Sequence, residues 1–527
     1  MTSGSSPNIS TRPKTSNVSK LLNRIIFIII NNLIELIHHL IYLSYTMKKL
    51  LFLFTISLMP FILQAQQATL RIKVLNASNN KVRIQHPVDG TWFPEAVDEQ
   101  KNGIDSIIKY TLTVNKTTWL RINGYPFIIE PGITNIVFDY GKKDVLRHTD
   151  RNMEGIILFS KRDNQFYQDK ARTFYKNDTN TVALLKRIEQ EKEAELKPFT
   201  DLLVAKKISL NFYEAVQNYL NVNAVIIEAA IPMIVFSETK KLNSELDAMW
   251  TNAYKKHPLT NIQDTFNPDF YYHADYYVFT YLQYYLAQKR GIKSDIKNEN
   301  DYFKYKYQCF GTTFSGKMRE YLMASFLQNE MMQNKFQPVL LELFNDFEKQ
   351  YPRSHFTPYL QTHATQIEAF NKVKKTSLNQ KQKIIADYGK IDSFEQLLRQ
   401  FKDKTVFIDI WATWCGPCKE EFRYNKDLEQ FLTSKDIDIL FISTDKDEAD
   451  EQWKTMIKYY NLEGWHIRTN KALLQDLKNK FWAGKNGYAI PRYVLVSRGK
   501  VVNANTFRPS DKEQLYNQLI SELKIGL

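Results

Sequence analysis

Cysteine is nearly absent from this chain: there are three in 527 residues, Cys309 alone and Cys415 and Cys418 separated by two residues. So few exclude a disulfide-stapled scaffold, and any sulfur chemistry must rest on the pair. Glycine and proline are scarce, 17 of each, which excludes collagen-like and low-complexity chains. The nine histidines form no ligand set: His257, His273, His355 and His363 have no cysteine or carboxylate companions at metal spacing and read as structural or surface groups. A long basic block is also missing. The formal charge is +14, but Arg12, Lys14, Lys20, Arg24, Lys48 and Lys49 stand against Glu35 alone in residues 1–65, and later lysines are interleaved with acids and aromatics. Such a pattern is a solvated basic surface, and no nucleic acid is expected as partner. What remains, 43% hydrophobic and 24% charged, supplies apolar surface for more than one core and about three domains.

The leading residues read as an address. From Met47 a basic pair, Lys48 and Lys49, precedes an apolar run from Leu50 to Leu63 and the small residue Ala65. That is the layout of a secretory signal peptide at 47–65, cleaved after Ala65. Leu21 to Tyr45 is Ile-rich but broken by Arg24, Asn31, Asn32, Glu35, His38 and His39, too polar for a membrane span, so 1–46 reads as a non-structural upstream extension. No cysteine precedes Cys309, so a lipid-modified cysteine at the cleavage site is excluded. The expected location is the periplasm or cell envelope.

Residues 66–145 carry short β-branched and aromatic runs separated by Asn79-Asn80, Asp89-Gly90, Asn123-Gly124 and Pro131-Gly132. Their spacing predicts an all-β, antiparallel sandwich-like domain with a scaffold or docking role. From 146 to 381 the apolar period changes to three and four, predicting helices over 182–199, 212–236, 270–286, 316–332, 338–350 and 358–373. Tyr271, Tyr272, Tyr276, Tyr277, Tyr281, Tyr284 and Tyr285 cluster on one of them, with rings expected in the core and hydroxyls in water. Cys309 reads as a small buried hydrophobe.

The informative stretch runs from Lys404 to Glu421. Thr405 to Trp411 is a near-continuous apolar, β-branched run suited to a central strand covered on both faces. Cys415-Gly416-Pro417-Cys418 then opens a helix expected to continue to about Leu432. A thiolate is the attacking species in disulfide exchange, and a helix N-terminus stabilises its charge at Cys415. Two intervening residues place Cys418 one turn on, where it can resolve a mixed disulfide. Pro417 suits the first turn, where its missing N–H costs nothing. A zinc half-site would need two more ligands nearby. Cys309 is distant and His466 is the only histidine after His363, so no metal is expected.

Trp414-Cys415-Gly416-Pro417-Cys418-Lys419 resembles the active-site motif of the thioredoxin superfamily. The order of elements over 382–527 fits it: strands at 437–444, 493–497 and 501–507, helices near 448–460, 471–482 and 510–524, and Ile490-Pro491 between. The added helix-containing unit between Cys418 and Pro491, with the export signal, is similar to TlpA/ResA-like envelope oxidoreductases, and the three domains in series resemble multidomain members from Bacteroidetes-type bacteria. The resemblance implies a multidomain chain: an all-β domain at 66–145, an α-helical domain at 146–381 and an α/β thioredoxin-like domain at 382–527 with a central mixed sheet flanked by helices. By position it makes Ile490-Pro491 the cis-proline site facing Cys415, Asp409 the buried acid that helps deprotonate the second cysteine, and Glu421 the active-site glutamate. Three positions depart from the pattern: the strand 437–444 has no lysine, Ile490 replaces a common threonine, and Arg423 stands where a proline often kinks the helix.

The resulting expectation is an exported thiol-disulfide oxidoreductase. Cys415 attacks, Cys418 resolves, and Asp409, Glu421 and Pro491 serve the same step. Trp414, Gly416, Pro417 and Ile490 shape the substrate contact. The redox-active Cys415-Cys418 disulfide takes the place of any cofactor. Protein disulfides are the expected substrates and a membrane electron donor the expected partner, in redox homeostasis or cytochrome c maturation. Two rival readings remain open: an envelope binding protein with a secondary redox domain, and a peroxiredoxin-like antioxidant, although Ala412 stands where peroxiredoxins need Thr or Ser.

Overall fold

The computed structural model describes Ile29, Asn32, Leu33 and residues 66–527, apart from 77–80, 95, 102–106, 115–116, 143–144, 150, 163–165, 176–179, 293–295, 334, 484–486 and 525–527. The expected signal peptide at 47–65 lies outside the described residues, as does the extension at 1–46 save the three named.

Among the described residues eight strands come first: β1 (Gln66–Leu75), β2 (Lys81–Gln85), β3 (Val97–Lys101), β4 (Ile107–Val114), β5 (Thr118–Ile122), β6 (Tyr125–Ile129), β7 (Gly132–Asp139) and β8 (Leu146–Thr149). They form two four-stranded sheets, ordered β4-β1-β7-β8 and β3-β2-β5-β6. The chain divides into two compact units. The first holds the first sheet, and the second holds 79–102, 119–128 and 152–527.

In the first unit β1 alternates strictly, with Ala68, Leu70, Ile72 and Val74 buried, so one face is apolar. The antiparallel expectation fails at one pairing: β1 runs antiparallel to β4 but parallel to β7, with Ala68 opposite Gly132 and Ile72 opposite Ile136. The connection from β1 to β7 passes through the other sheet, and that long excursion is what permits parallel pairing.

The second unit contains the β3-β2-β5-β6 sheet because its aromatics pack on helices. Trp119 stacks on Tyr219 and meets Phe159 edge-on, and Phe93 lies 5.0 Å from the Phe356 ring. The helices are Met153–Ser160, Thr181–Val204, Leu210–Thr239, Ser244–Lys256, Phe270–Asp275 continued by a π-helical Tyr276–Leu286, Glu299–Thr313, Gly316–Met331, Pro338–Gln350 and Thr357–Lys374. Asn180, Ser209, Asn243 and Asn298 cap four of them, each side chain accepting from the main-chain N–H three residues on. Leu210–Thr239 is long and apolar enough to cross a membrane by length and composition, and much of it is core here, with Phe212, Val216 and Ile231 fully buried. In the tyrosine cluster Tyr272 and Tyr284 are exposed, whereas two members depart from the expected wet hydroxyls: Tyr281 donates to Thr251 (3.0 Å) and Tyr285 to Asp247 (2.6 Å). Cys309 is buried, which pushes its thiol pKa up.

The C-terminal part of this unit is a six-stranded mixed sheet built from β9 (Gln382–Ile384), β10 (Thr405–Trp411), β11 (Ile437–Ser443), β12 (Gly464–Arg468), β13 (Arg492–Ser497) and β14 (Lys500–Asn503), ordered β14-β13-β10-β11-β12-β9. β10 is parallel to β11 and antiparallel to β13. Its alternation sends side chains into two cores. Phe407, Trp411, Ile439, Phe441, Tyr493 and Leu495 share one with Cys415 and Cys418. Val406, Ile408, Ile410, Leu440, Ile442, Val494 and Val496 share the other with Leu397, Leu473 and Leu477. Helices Phe394–Leu398 and Lys471–Phe481 supply that second core, and Asp450–Tyr459 supplies Trp453 and Met456 to the first. Gly464 must be glycine: its φ is +149° and a Cβ would lie 2.8 Å from the Ile439 carbonyl of β11.

Helical layer and sheet share a core. Phe336 stacks on Phe370 at 4.2 Å, Tyr459 packs against both rings, and Lys458 Nζ donates to the carbonyls of Lys374 and Thr376.

Candidate active site

The site is assembled where β10 ends. Every residue from Val406 to Trp411 is buried, and Asp409 is the single charge among them. The chain then turns over Ala412, Thr413 and Trp414. Asp445, just beyond β11, holds this turn: its carboxylate accepts from Thr413 N (2.9 Å), Thr413 Oγ1 (2.8 Å) and Ser443 Oγ (2.7 Å). Thr444 N donates to Trp411 O (2.9 Å). The turn is thus fixed by an acid that sequence reading passed over. A signal existed, a strand closing on Ser443-Thr444-Asp445, but its partner lies 32 residues earlier.

Cys415 caps the helix Gly416–Glu421, with Cys418 N 3.1 Å from its sulfur, and is joined to Cys418 by a disulfide. Pro417 occupies the first turn, and a Cβ at Gly416 would meet nothing within 4 Å. Cys418 is fully buried, whereas Cys415 keeps 3% exposure beside a 61% exposed Trp414. Attack from outside therefore reaches Cys415 first. Across from it the Ile490 carbonyl oxygen lies 3.7 Å from Cys415 Sγ, and the Ile490-Pro491 peptide is cis.

The helix does not run unbroken to Leu432. It ends at Glu421, passes through a 3-10 turn at Phe422–Tyr424 and resumes as Asn425–Ser434. No proline makes this break. Phe422 is buried, 5.1 Å from both the Trp411 and Tyr460 rings, and that packing accompanies the tightened turn.

Two acids accompany the disulfide, Asp409 in register with Phe441 and Tyr493 of the core that holds both cysteines, and Glu421 three residues after Cys418. Asp409 is 3% exposed, and burial, with a smaller push from the Glu421 charge, holds its pKa well above the usual carboxylate range. Glu421 accepts from Ser510 N (2.9 Å) and Ser510 Oγ (3.0 Å), with the Arg508 guanidinium 3.9 Å away. Lys419, beside Cys418, is 4% exposed; burial lowers its pKa to about 8, and its Nζ donates to the Gln333 carbonyl at 3.0 Å. Its burial was not foreseen, because the covering residue comes from the helical layer.

The structure therefore brings Cys415 and Cys418, with their neighbours Trp414, Gly416 and Pro417, against Ile490 and Pro491, while Asp409 lies on β10 and Glu421 at the far end of the same helix. This arrangement can exchange one disulfide for another, because a helix N-terminus stabilises a sulfur anion, and a buried carboxyl with a raised pKa on the same face of the sheet has the chemistry to carry a proton. Among the described residues no group of three or more His, Cys, Asp or Glu side chains is placed to hold a metal ion.

The family model and the sequence relatives point the same way. Residues 392–520 match the family model described as Redoxin. The chain is 36% identical over 123 residues to the thiol-disulfide oxidoreductase ResA of Bacillus thuringiensis (strain Al Hakam), covering 23% of this chain and 65% of the relative. It is 39% identical over 66 residues to the protein of the same name in Bacillus thuringiensis subsp. konkukian (strain 97-27), covering 12% and 37%. The chain thus spans less than two thirds of the length of these relatives. A thiol:disulfide interchange protein from Bacteroides sp., solved in solution, is 26% identical over 24% of this chain and 76% of its own, with a TM-score of 0.19.

Proposed function

Because residues 392–520 form a redoxin domain of the thioredoxin superfamily, of the TlpA/ResA-like kind, we propose that the protein is a thiol-disulfide oxidoreductase acting on protein disulfides. The observation that carries this reading is the Cys415-Cys418 disulfide at the N-terminus of Gly416–Glu421, facing the Ile490 carbonyl.

In the reduced protein the Cys415 thiolate attacks one sulfur of a substrate disulfide. That S–S bond breaks, the departing substrate sulfur takes up a proton, and Cys415 is left in a mixed disulfide. The Cys418 thiol passes its proton to the Asp409 carboxylate, and the Cys418 thiolate attacks Cys415 Sγ. The second substrate sulfur leaves as a thiolate and takes up the proton that Asp409 received, and the Cys415-Cys418 disulfide forms. Two electrons and two protons from an external donor return the pair to thiols. The main chain around Ile490, beside Cys415, is suited to pair with an extended substrate segment.

The finer reading is a reductase in the cell envelope, exported by the segment 47–65, fed by a membrane electron donor and serving redox homeostasis or cytochrome c maturation. The basic-apolar-small order from Lys48 to Ala65 supports export. In an oxidising compartment a reductase needs such a donor.

The test is insulin reduction with dithiothreitol as electron source. Cys415→Ser is expected to lose at least about 100-fold in rate, the scale of removing a nucleophile. Cys418→Ser is expected to accumulate a mixed disulfide with substrate. Undiminished activity of Cys415→Ser removes the proposal.

A further inference from the structure

The register of the sheet places Tyr493 of β13 directly opposite Asp409 of β10. Register partners on antiparallel strands point to the same face with α-carbons about 4.5–5.5 Å apart. The row continues through Phe441 of β11, opposite Asp409, to His466 of β12, opposite Phe441. It lies on the face that carries Cys415 and Cys418, since Phe407, Phe441 and Tyr493 share their core.

Tyr493 is 2% exposed, and its ring is stacked 5.6 Å from Phe407 at 15°. Two buried oxygens in this row have no hydrogen-bond partner among the described residues, Tyr493 Oη and Asp409 Oδ1. A phenol carries an O–H donor and an ionised carboxylate only acceptors, so the two are chemically complementary. No cation is supplied by the row itself, since its other members are Phe441 and His466, and His466 is fully buried with Nε2 against the Leu462 carbonyl. The remaining charged groups acting on the pair are Glu421, Arg508 and Asp511.

We propose that Tyr493 is a positioning residue for the Asp409 proton: its phenol O–H donates to the Asp409 carboxylate when that group ionises to receive the proton of Cys418. The proposal rests on the thiol-disulfide reading and deepens it. The proton moves from Cys418 Sγ to Asp409, while Tyr493 keeps its own. A donor to a buried carboxylate favours the charged form, so Tyr493 opposes the burial that holds the Asp409 pKa up. Without the phenol a smaller fraction of Asp409 is ionised at neutral pH, and resolution by Cys418 slows while attack by Cys415 does not.

The experiment compares wild type, Tyr493→Phe, Asp409→Asn and the double variant, each as the full chain. Stopped-flow reaction of the reduced proteins with a fluorescent disulfide peptide separates formation of the mixed disulfide from its resolution, across pH 5 to 9. Tyr493→Phe is expected to leave formation within about twofold, shift the acid limb of resolution to higher pH and slow resolution about 3- to 10-fold at pH 7. In the Asp409→Asn background it is expected to add nothing. An unshifted acid limb overturns the proposal, and so does an equal slowing in the Asp409→Asn background, the mark of a merely structural role. Infrared titration of the Asp409 carboxyl in wild type and Tyr493→Phe reads the same shift without turnover, and an unchanged midpoint there overturns it too. If wild type exchanges no disulfide, the functional reading fails while the infrared measurement still decides the role of Tyr493.

Discussion

Lys419, the residue after the resolving cysteine, donates its ammonium group to the main-chain carbonyl of Gln333, 86 positions earlier. The active-site helix is therefore anchored to the helical layer through a cation that is 4% exposed. Taking a charge out of water is costly, and burial lowers the Lys419 pKa to about 8 despite the opposing pull of Asp445 and Glu420.

The sign of the resulting pH dependence follows from linkage. The folded pKa, about 8, lies below the ordinary 10.5, so between these values the unfolded chain binds more protons and folded stability rises with pH. A shift of this size corresponds to at most about 3 kcal/mol over that window. Lys419→Met is expected to lose this alkaline gain, so the wild-type-minus-variant stability from urea unfolding should grow between pH 8 and 10. A constant difference across that range contradicts the assignment.

Asp445 pins the turn before Cys415 through Thr413. Replacing it with alanine leaves Thr413 N, Thr413 Oγ1 and Ser443 Oγ without their acceptor. The expected cost is about 2–4 kcal/mol by denaturant unfolding, since buried donors to a charged group are left unpaired. Exchange should fall with it through displacement of Cys415. A loss below about 0.5 kcal/mol, the scale of an ordinary surface substitution, shows that the turn does not depend on this acid.

Glu421 and Tyr493 act on Asp409 in opposite directions. Removing the charge in Glu421→Gln takes a like charge away from Asp409 and should lower its pKa. The acid limb of resolution is then expected to move to lower pH, opposite to the shift in Tyr493→Phe. The same pH series measures both, and shifts of equal sign refute the electrostatic account.

The central strand was legible in full: the apolar run from Thr405 to Trp411 coincides with β10, because a strand buried on both faces must be apolar throughout. Pro338–Gln350 was equally legible, since a proline in the first turn and a regular apolar period mark the same element. Ser244–Lys256 and Glu299–Thr313 went unread although Asn243 and Asn298 cap them and acids fill their first turns. Their apolar stripes are diluted by charged and polar residues. β9 and β12 are short, three and five residues, and owe their existence to pairing inside the sheet. At the site, the cysteines and the Ile490-Pro491 dipeptide declare themselves by spacing and motif. Lys419, Asp445 and Tyr493 do not, because what makes each one matter is a neighbour 86, 32 or 84 positions away in the chain.

The reduction potential of the Cys415-Cys418 pair, measured on the purified protein by equilibration with dithiothreitol or glutathione buffers, tests the central claim most directly. A reductase of protein disulfides requires a value near or below about −250 mV, and that is the predicted result. A value near about −120 mV marks an oxidant that donates disulfides, and contradicts it.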